Sequence, residues 1–276
     1  MHLNQAGVFL ISICIAIALF LGLPLLKTAI IDPEMVKEEI TSVSQDQPVS
    51  VATQTKAESS IPETLPVLIQ PAKPKITIGR VEDDYFNDAL FVGDSLTYGL
   101  QAYKIITQAS FVASIGVNLG TIGSPGTIEY ADGSSFSMLE AIANQHNPSK
   151  VYVMMGTNGI NWLSTETMIE SYGHLLTYIR ECFPDTIIYV QSILPAAYFV
   201  PERQPGLAPW KIEEYNRALQ DLAEEKDAYF LDIHGLFVDE YGFLPMDIAA
   251  NDGIHVGSSS YQRWYEYLKV NALIKE

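Results

Sequence analysis

Four short polar segments carry side chains that could pass an acyl group between oxygen atoms. The first is Gly93-Asp94-Ser95-Leu96-Thr97, where a serine hydroxyl becomes a nucleophile if a base takes its proton. The last is Asn251-Asp252-Gly253-Ile254-His255, in which Asp252 stands three residues before His255. A carboxylate so placed can accept one ring N–H and leave the other imidazole nitrogen free as a base. Between them lie Gly116-Val117-Asn118 and Gly156-Thr157-Asn158-Gly159. There a backbone amide beside Gly116 and the Asn158 side chain could meet a developing oxyanion. Each segment also has a plain reading. Ser95 could cap a helix, Gly116 could turn the chain, Asn158 could close an Asx turn, and Asp252 could sit in a turn beside a surface His255.

The remaining histidines fit a catalytic role less well. His2 precedes an apolar run, His146 sits in Gln-His-Asn-Pro, and His174 falls within a helical stretch. His234, after Leu231-Asp232-Ile233, is the only rival base. The Gly-x-Ser-x-Gly elbow of α/β-hydrolases is not met, because Thr97 replaces its second glycine.

The elements that must position these side chains alternate. Apolar runs at Ala89–Val92, Phe111–Ile115, Val151–Met155, Thr186–Ile193 and Ala228–Ile233 read as strands, several of them closed by glycine or proline. Between them, residues 165–182 place Met168, Tyr172, Leu175, Leu176 and Ile179 on one helical face. Residues 209–226 carry Ile212, Tyr215, Leu219 and Leu222 in the same way, after Pro209. A last helix is expected over about Ser259–Ile274, with a serine cluster as its N-cap and Tyr261, Trp264, Tyr265 and Leu268 facing the core. Strand and helix in alternation predict an α/β fold with a parallel sheet covered on both faces. In such sheets ligands meet the loops after the carboxyl ends of strands, where the four polar segments fall.

Taken together, the segments resemble the SGNH (GDSL-type) hydrolase family, over residues 85–276. Gly93-Asp94-Ser95 matches its first block, Gly116 its second, Gly156 and Asn158 its third, and Asp252 with His255 its last. The resemblance implies a three-layer α/β/α sandwich with a five-stranded, flavodoxin-like parallel sheet. It also implies a Ser95–His255–Asp252 triad, an oxyanion hole from the Ser95 and Gly116 amides and the Asn158 side chain, and no metal or organic cofactor. Gly159 stands where the family often has Asp, a form similar to SGNH domains linked to O-acetylation of cell-wall polymers. The resemblance therefore implies a serine esterase acting on small acyl esters, acetyl above all, of carbohydrate or cell-envelope substrates. An O-acyltransferase using the same triad, a lipase or thioesterase, and a non-catalytic binding head are the alternatives. Asp94 is expected to hold the turn. Asn161-Trp162, Tyr198-Phe199 and Trp210 could form a substrate rim or merely pack.

Composition sets the frame for this head. The chain has 276 residues, 33 acidic against 16 basic, yet no aromatic residue between Leu21 and Asp84. From Tyr85 onward 23 acidic and 10 basic residues leave no Lys/Arg cluster to grip a phosphate backbone, which excludes a nucleic-acid partner. The head contains a single cysteine, Cys182, so it has neither an internal disulfide nor a Cys-based zinc site. Residues 8–26 are 19 uncharged, mostly apolar positions, enough at ~1.5 Å rise to span a bilayer's hydrocarbon. The expected organisation is a transmembrane anchor or uncleaved signal at 1–27, a disordered linker at 28–84 and a catalytic domain at 85–276. The linker rests on 41–75, where 18 of 35 residues are Ser, Thr, Pro or Gln. The anchor would hold the domain at the cell surface, near an acylated polysaccharide.

Overall fold

A computed structural model of the chain describes residues 76–275. The expected membrane run at 8–26 and the linker as far as residue 75 lie outside the described residues. Among the described residues, no helix is long and apolar enough to cross a membrane.

Among the described residues, nine strands and five α-helices follow in order. The strands are β1 (Ile76–Gly79), β2 (Ala89–Gly93), β3 (Ser110–Ala113), β4 (Ile128–Glu129), β5 (Ser135–Phe136), β6 (Lys150–Met154), β7 (Ile187–Gln191), β8 (Tyr229–Leu231) and β9 (Ala272–Lys275). The helices are α1 (Ser95–Ala102), α2 (Met138–Ala143), α3 (Thr165–Cys182), α4 (Pro209–Glu225) and α5 (Ser258–Val270). Five strands form one parallel sheet in the order β3-β2-β6-β7-β8. These are the five runs expected from the sequence.

β2 and β6 are buried along their whole length, as strands covered on both faces must be. The Tyr178 hydroxyl of α3 bonds the Leu139 carbonyl of α2, and α3 packs on α4 along one face of the sheet. On the other face α1 meets α5, where Tyr261 closes against Gly99. There Phe91, Tyr152 and Tyr189 stack across three strands at ring separations of 4.7 and 4.4 Å. Met168, Tyr172, Leu175, Leu176 and Ile179 of α3 are all buried, each contributing ~1.5–3 kcal/mol of transfer free energy before entropy is subtracted.

The chain leaves β2 for β3 on one side and leaves β6 for β7 on the other. The loops after β2 and β6 thus flank the point where the winding reverses, the crevice in which open α/β sheets bind ligands.

Three expectations need correction at the edges. Ile76–Gly79, placed in the linker, is strand β1, paired antiparallel with β9 from Ile76↔Lys275 to Gly79↔Ala272. Residues 80–84 are bound to the domain as well: Val81 N–H donates to Lys269 O, and Lys269 Nζ to Asp83 Oδ1 at 2.7 Å. The last helix ends at Val270, four residues before the expected end, because Ala272–Lys275 gains a strand partner. Its N-cap is Gly257, without a side-chain cap bond, and the serine cluster forms its first turn.

Candidate active site

Asp94 decides how Ser95 is presented. It sits at the N-cap of α1 in extended conformation, and its Oδ1 accepts the Leu96 amide at 3.0 Å. Asp94, not Ser95, therefore caps the helix, which leaves the Ser95 hydroxyl unspent. The Ser95 amide belongs to the first turn, whose N–H groups have no intrahelical acceptor. Thr97, which breaks the elbow pattern, is fully buried, and a side chain at Gly93 would meet its Oγ1 at 2.0 Å. Asp94 itself is fully buried, and burial pushes its pKa up to about 6 against the lowering pull of the Leu96 amide and His255.

The loop between β8 and α5 brings the other two groups. Asp252 Oδ1 accepts the amides of Ile254 and His255 at 2.9 and 3.0 Å, a tight turn that holds both residues. Its second oxygen, Oδ2, lies 2.6 Å from His255 Nδ1, and His255 Nε2 lies 2.8 Å from Ser95 Oγ. With its proton on Nδ1 facing the carboxylate, the ring presents Nε2 to the serine hydroxyl as an acceptor. Partial burial raises the Asp252 pKa, but the two amides and His255 outweigh it and hold the carboxyl below the usual range. Asp252 thus stays ionised where a protonated His255 would need it.

Gly116 follows β3 with φ of +80°, a left-handed conformation that suits glycine, and it lies in the wall of an open cleft. Asn158 follows β6, and its Nδ2 donates to Val117 O at 3.0 Å. One of its two amide hydrogens is so used, leaving the second for a ligand. Gly156 has φ of +147°, and a Cβ there would fall 2.4 Å from the Tyr215 ring.

His234 is not part of this group. It follows β8, three strands from β2 or roughly 14 Å across the sheet, and its amide bonds Ser192 Oγ. Burial pushes its pKa down, against Asp232 and Glu213. Trp162, Tyr198 and Trp210 are exposed, whereas Tyr261, Trp264, Tyr265 and Leu268 are buried as core. Asn161 ties the rim loops together, with Gly206 N donating to its Oδ1 and its Nδ2 donating to Gln204 Oε1. Sequence reading missed the cleft residues Tyr98, Thr127 and Glu129. Only Tyr98 left a signal, standing three positions after Ser95 on one helix face. Among the described residues no cluster of His, Cys, Asp and Glu is arranged to hold a metal ion.

A five-stranded parallel sheet with a polar crevice at its reversal point is the architecture of a doubly wound α/β protein, and it is the serine, histidine and aspartate in contact at that crevice that suit it to ester chemistry. The chain belongs to the GDSL-like lipase/acylhydrolase family, whose pattern matches residues 91–263. Among the solved structures similar to this chain, two illustrate the shared fold. A Streptococcus pneumonia protein, provisionally described as a platelet activating factor, is 22% identical with a TM-score of 0.55, covering 68% of this chain and 87% of its own. A GDSL-like lipase from Bacteroides thetaiotaomicron is 15% identical with a TM-score of 0.51, covering 66% and 85%. No curated protein matches the sequence.

Proposed function

We propose that the chain is a serine esterase that removes small acyl groups, acetyl above all, from carbohydrate or cell-envelope esters. The reading is carried by one observation, the contact chain from Asp252 Oδ2 through His255 to Ser95 Oγ at 2.6 and 2.8 Å. Ser95 Oγ attacks the ester carbonyl as its proton passes to His255 Nε2, and Asp252 stabilises the imidazolium. The carbonyl oxygen gains the negative charge and is met by the Ser95 and Gly116 amides and the free Asn158 N–H. Collapse breaks the bond to the alcohol, which leaves with the proton from Nε2. Water then repeats the sequence on the acyl-enzyme, releasing the acid and restoring Ser95.

A transferase differs only in the last step, where a sugar hydroxyl replaces water. Gly159, in place of the family's frequent Asp, favours that second reading. A binding head without catalysis would have had no reason to keep all three triad members in contact. Residues 8–26 are proposed to anchor the enzyme in a membrane with its domain at the cell surface, supported by their length and lack of charge. Separation of membrane and soluble fractions, with and without residues 8–26, tests the anchor.

The deciding experiment compares the full chain with Ser95→Ala on p-nitrophenyl acetate and its longer acyl homologues. Wild type cleaves the acetyl ester fastest and the variant is inactive. Equal rates in the two proteins would remove Ser95 from the mechanism. Adding a sugar acceptor separates the two readings, because only a transferase forms acylated sugar.

A further inference from the structure

The cleft whose wall contains Gly116 has a volume of about 520 Å³, within the ~300–1,000 Å³ of small-molecule sites. Two of its lining residues link it to the proposed reacting centre. Gly116 carries the proposed oxyanion amide, and Tyr98 stands one helical turn beyond Ser95 on α1. From there it runs between Ile115 and the segment Gly126–Glu129, which leads into the β4–β5 pair.

The lining sorts into groups that hold the cleft and groups that face it. Thr121 Oγ1 donates to Asn118 O and Thr127 Oγ1 to Thr121 O, so both hydroxyls are spent on the loop. Buried Ile128 fixes β4 to the core, and Leu139 N–H donates to Ile122 O at the base of the loop. Asn158 clamps the near end through Val117. The wall is thus built before any ligand arrives. By contrast, the side chains of Tyr98, Ser114 and Glu129 make no hydrogen bond among the described residues, although all three line the cleft.

We infer that this cleft takes the alcohol part of the ester as a neutral, polyhydroxylated ring, with the Glu129 carboxylate accepting hydrogen bonds from its hydroxyls. The inference rests on the esterase reading above. An acyl hydrocarbon chain in the cleft would displace water from the exposed Glu129 carboxylate and return no hydrogen bond in its place. An anionic ring would meet the carboxylate as a like charge, with no lysine or arginine in the lining to offset it. A neutral sugar suffers neither penalty. Its hydroxyls reach Glu129, Ser114 and the Tyr98 hydroxyl, while its C–H faces lie against the Tyr98 ring and Ile115. Glu129 is then the residue that selects the alcohol part of the substrate.

The test uses the full chain carrying Ser95→Ala, so that the ester survives, and follows binding of methyl 6-O-acetyl-glucopyranoside by saturation-transfer NMR. Adding Glu129→Ala is expected to weaken binding about tenfold or more, as loss of a hydrogen bond to a charged group does, and Glu129→Gln to recover part of it. Methyl glucopyranosiduronate, whose C6 is a carboxylate, should bind more weakly than its neutral counterpart methyl glucopyranoside, and Glu129→Ala should narrow that gap. Equal binding with and without Glu129, in protein of unchanged circular dichroism, overturns the inference, as does absence of binding to the Ser95→Ala parent. Because binding is read without turnover, failure of the esterase reading shows separately, as hydrolysis that survives Ser95→Ala.

Discussion

Asn158 donates its side-chain amide to the carbonyl of Val117 at 3.0 Å, so the loop after β6 holds the loop after β3. The two loops come from strands that are not neighbours in the sheet, since β2 lies between them. One side chain therefore spans the nucleophile's own strand and fixes the residue next to Gly116. Asn158 then has two tasks, holding the cleft wall with one amide hydrogen and offering the other to the reacting oxygen.

Replacing Asn158 with Ala removes both tasks and should show both losses. Turnover of p-nitrophenyl acetate is expected to fall by about two to three orders of magnitude, as when one oxyanion donor is deleted. KM for an acetylated sugar should rise as well, because the Val117–Gly116 turn loses its clamp. Steady-state kinetics on the two esters measure each effect. A variant with unchanged kcat would restrict Asn158 to holding the loop.

Asp252→Asn separates the two oxygens of that carboxylate. The Asn Oδ1 can still accept the Ile254 and His255 amides, so the turn and the fold should persist. Where Oδ2 now faces His255 Nδ1 the variant presents an NH₂ group, which favours the tautomer with its proton on Nε2. That nitrogen can no longer accept from Ser95, and kcat should fall by about four orders of magnitude. Circular dichroism should match wild type. A rate within a few-fold of wild type would mean another group orients His255.

The central sheet was legible because its signals are local. Leu90–Val92 and Val151–Met154 are unbroken apolar runs, and their complete burial is what such runs predict for parallel strands. The candidate residues were legible because Ser95, Gly116 and Asn158 stand just after strand runs and Asp252 stands three residues before His255, although by sequence Ser95 could have been the N-cap. Only the structure, with Asp94 bonded to Leu96, frees Ser95. β1 and β9 were not legible. Ala272–Lys275 continues the apolar spacing of α5, and the partner that turns it into a strand lies near the other end of the described chain. Glu129 lies in a two-residue strand, too short for periodicity to register, and only the fold brings it into the lining of the cleft.

The β1–β9 pair yields a stability prediction. A chain begun at residue 85 loses four strand pairings, the Val81–Lys269 bond and the Asp83 carboxylate that meets Lys269 and Tyr265. β9 is itself tied to the core, since Leu273 N–H donates to the Tyr189 hydroxyl and Leu273 O accepts from Tyr85. Stripping its partner should therefore lower the denaturation midpoint and raise amide exchange in Ala272–Lys275, while the site remains assembled. A chain begun at residue 76 keeps these contacts and should show the higher midpoint and the slower exchange. Equal midpoints for the starts at 76 and 85 would make β1 dispensable.

Asp94 gives the domain a specific pH dependence. Burial raises its folded pKa to about 6, from the usual 3.8. Between those values the folded protein holds a proton that the unfolded chain has released. The stability linked to that proton is fully present below about pH 4 and is lost as pH rises through about 6. A gap of this size corresponds to roughly 3 kcal/mol, at ~1.4 kcal/mol per pH unit. Asp94→Asn is neutral throughout and keeps an oxygen for the Leu96 amide, so it lacks this dependence. His255, whose charge bears on Asp94, and the buried hydroxyls of Tyr172, Tyr215 and Tyr261 around it are present in both proteins. The stability of Asp94→Asn relative to wild type, read from urea unfolding, should therefore climb between pH 4 and pH 7 and then level off. Parallel curves across that range would show that Asp94 is ionised in the folded domain at acid pH, and that its buried carboxylate has a partner beyond Leu96.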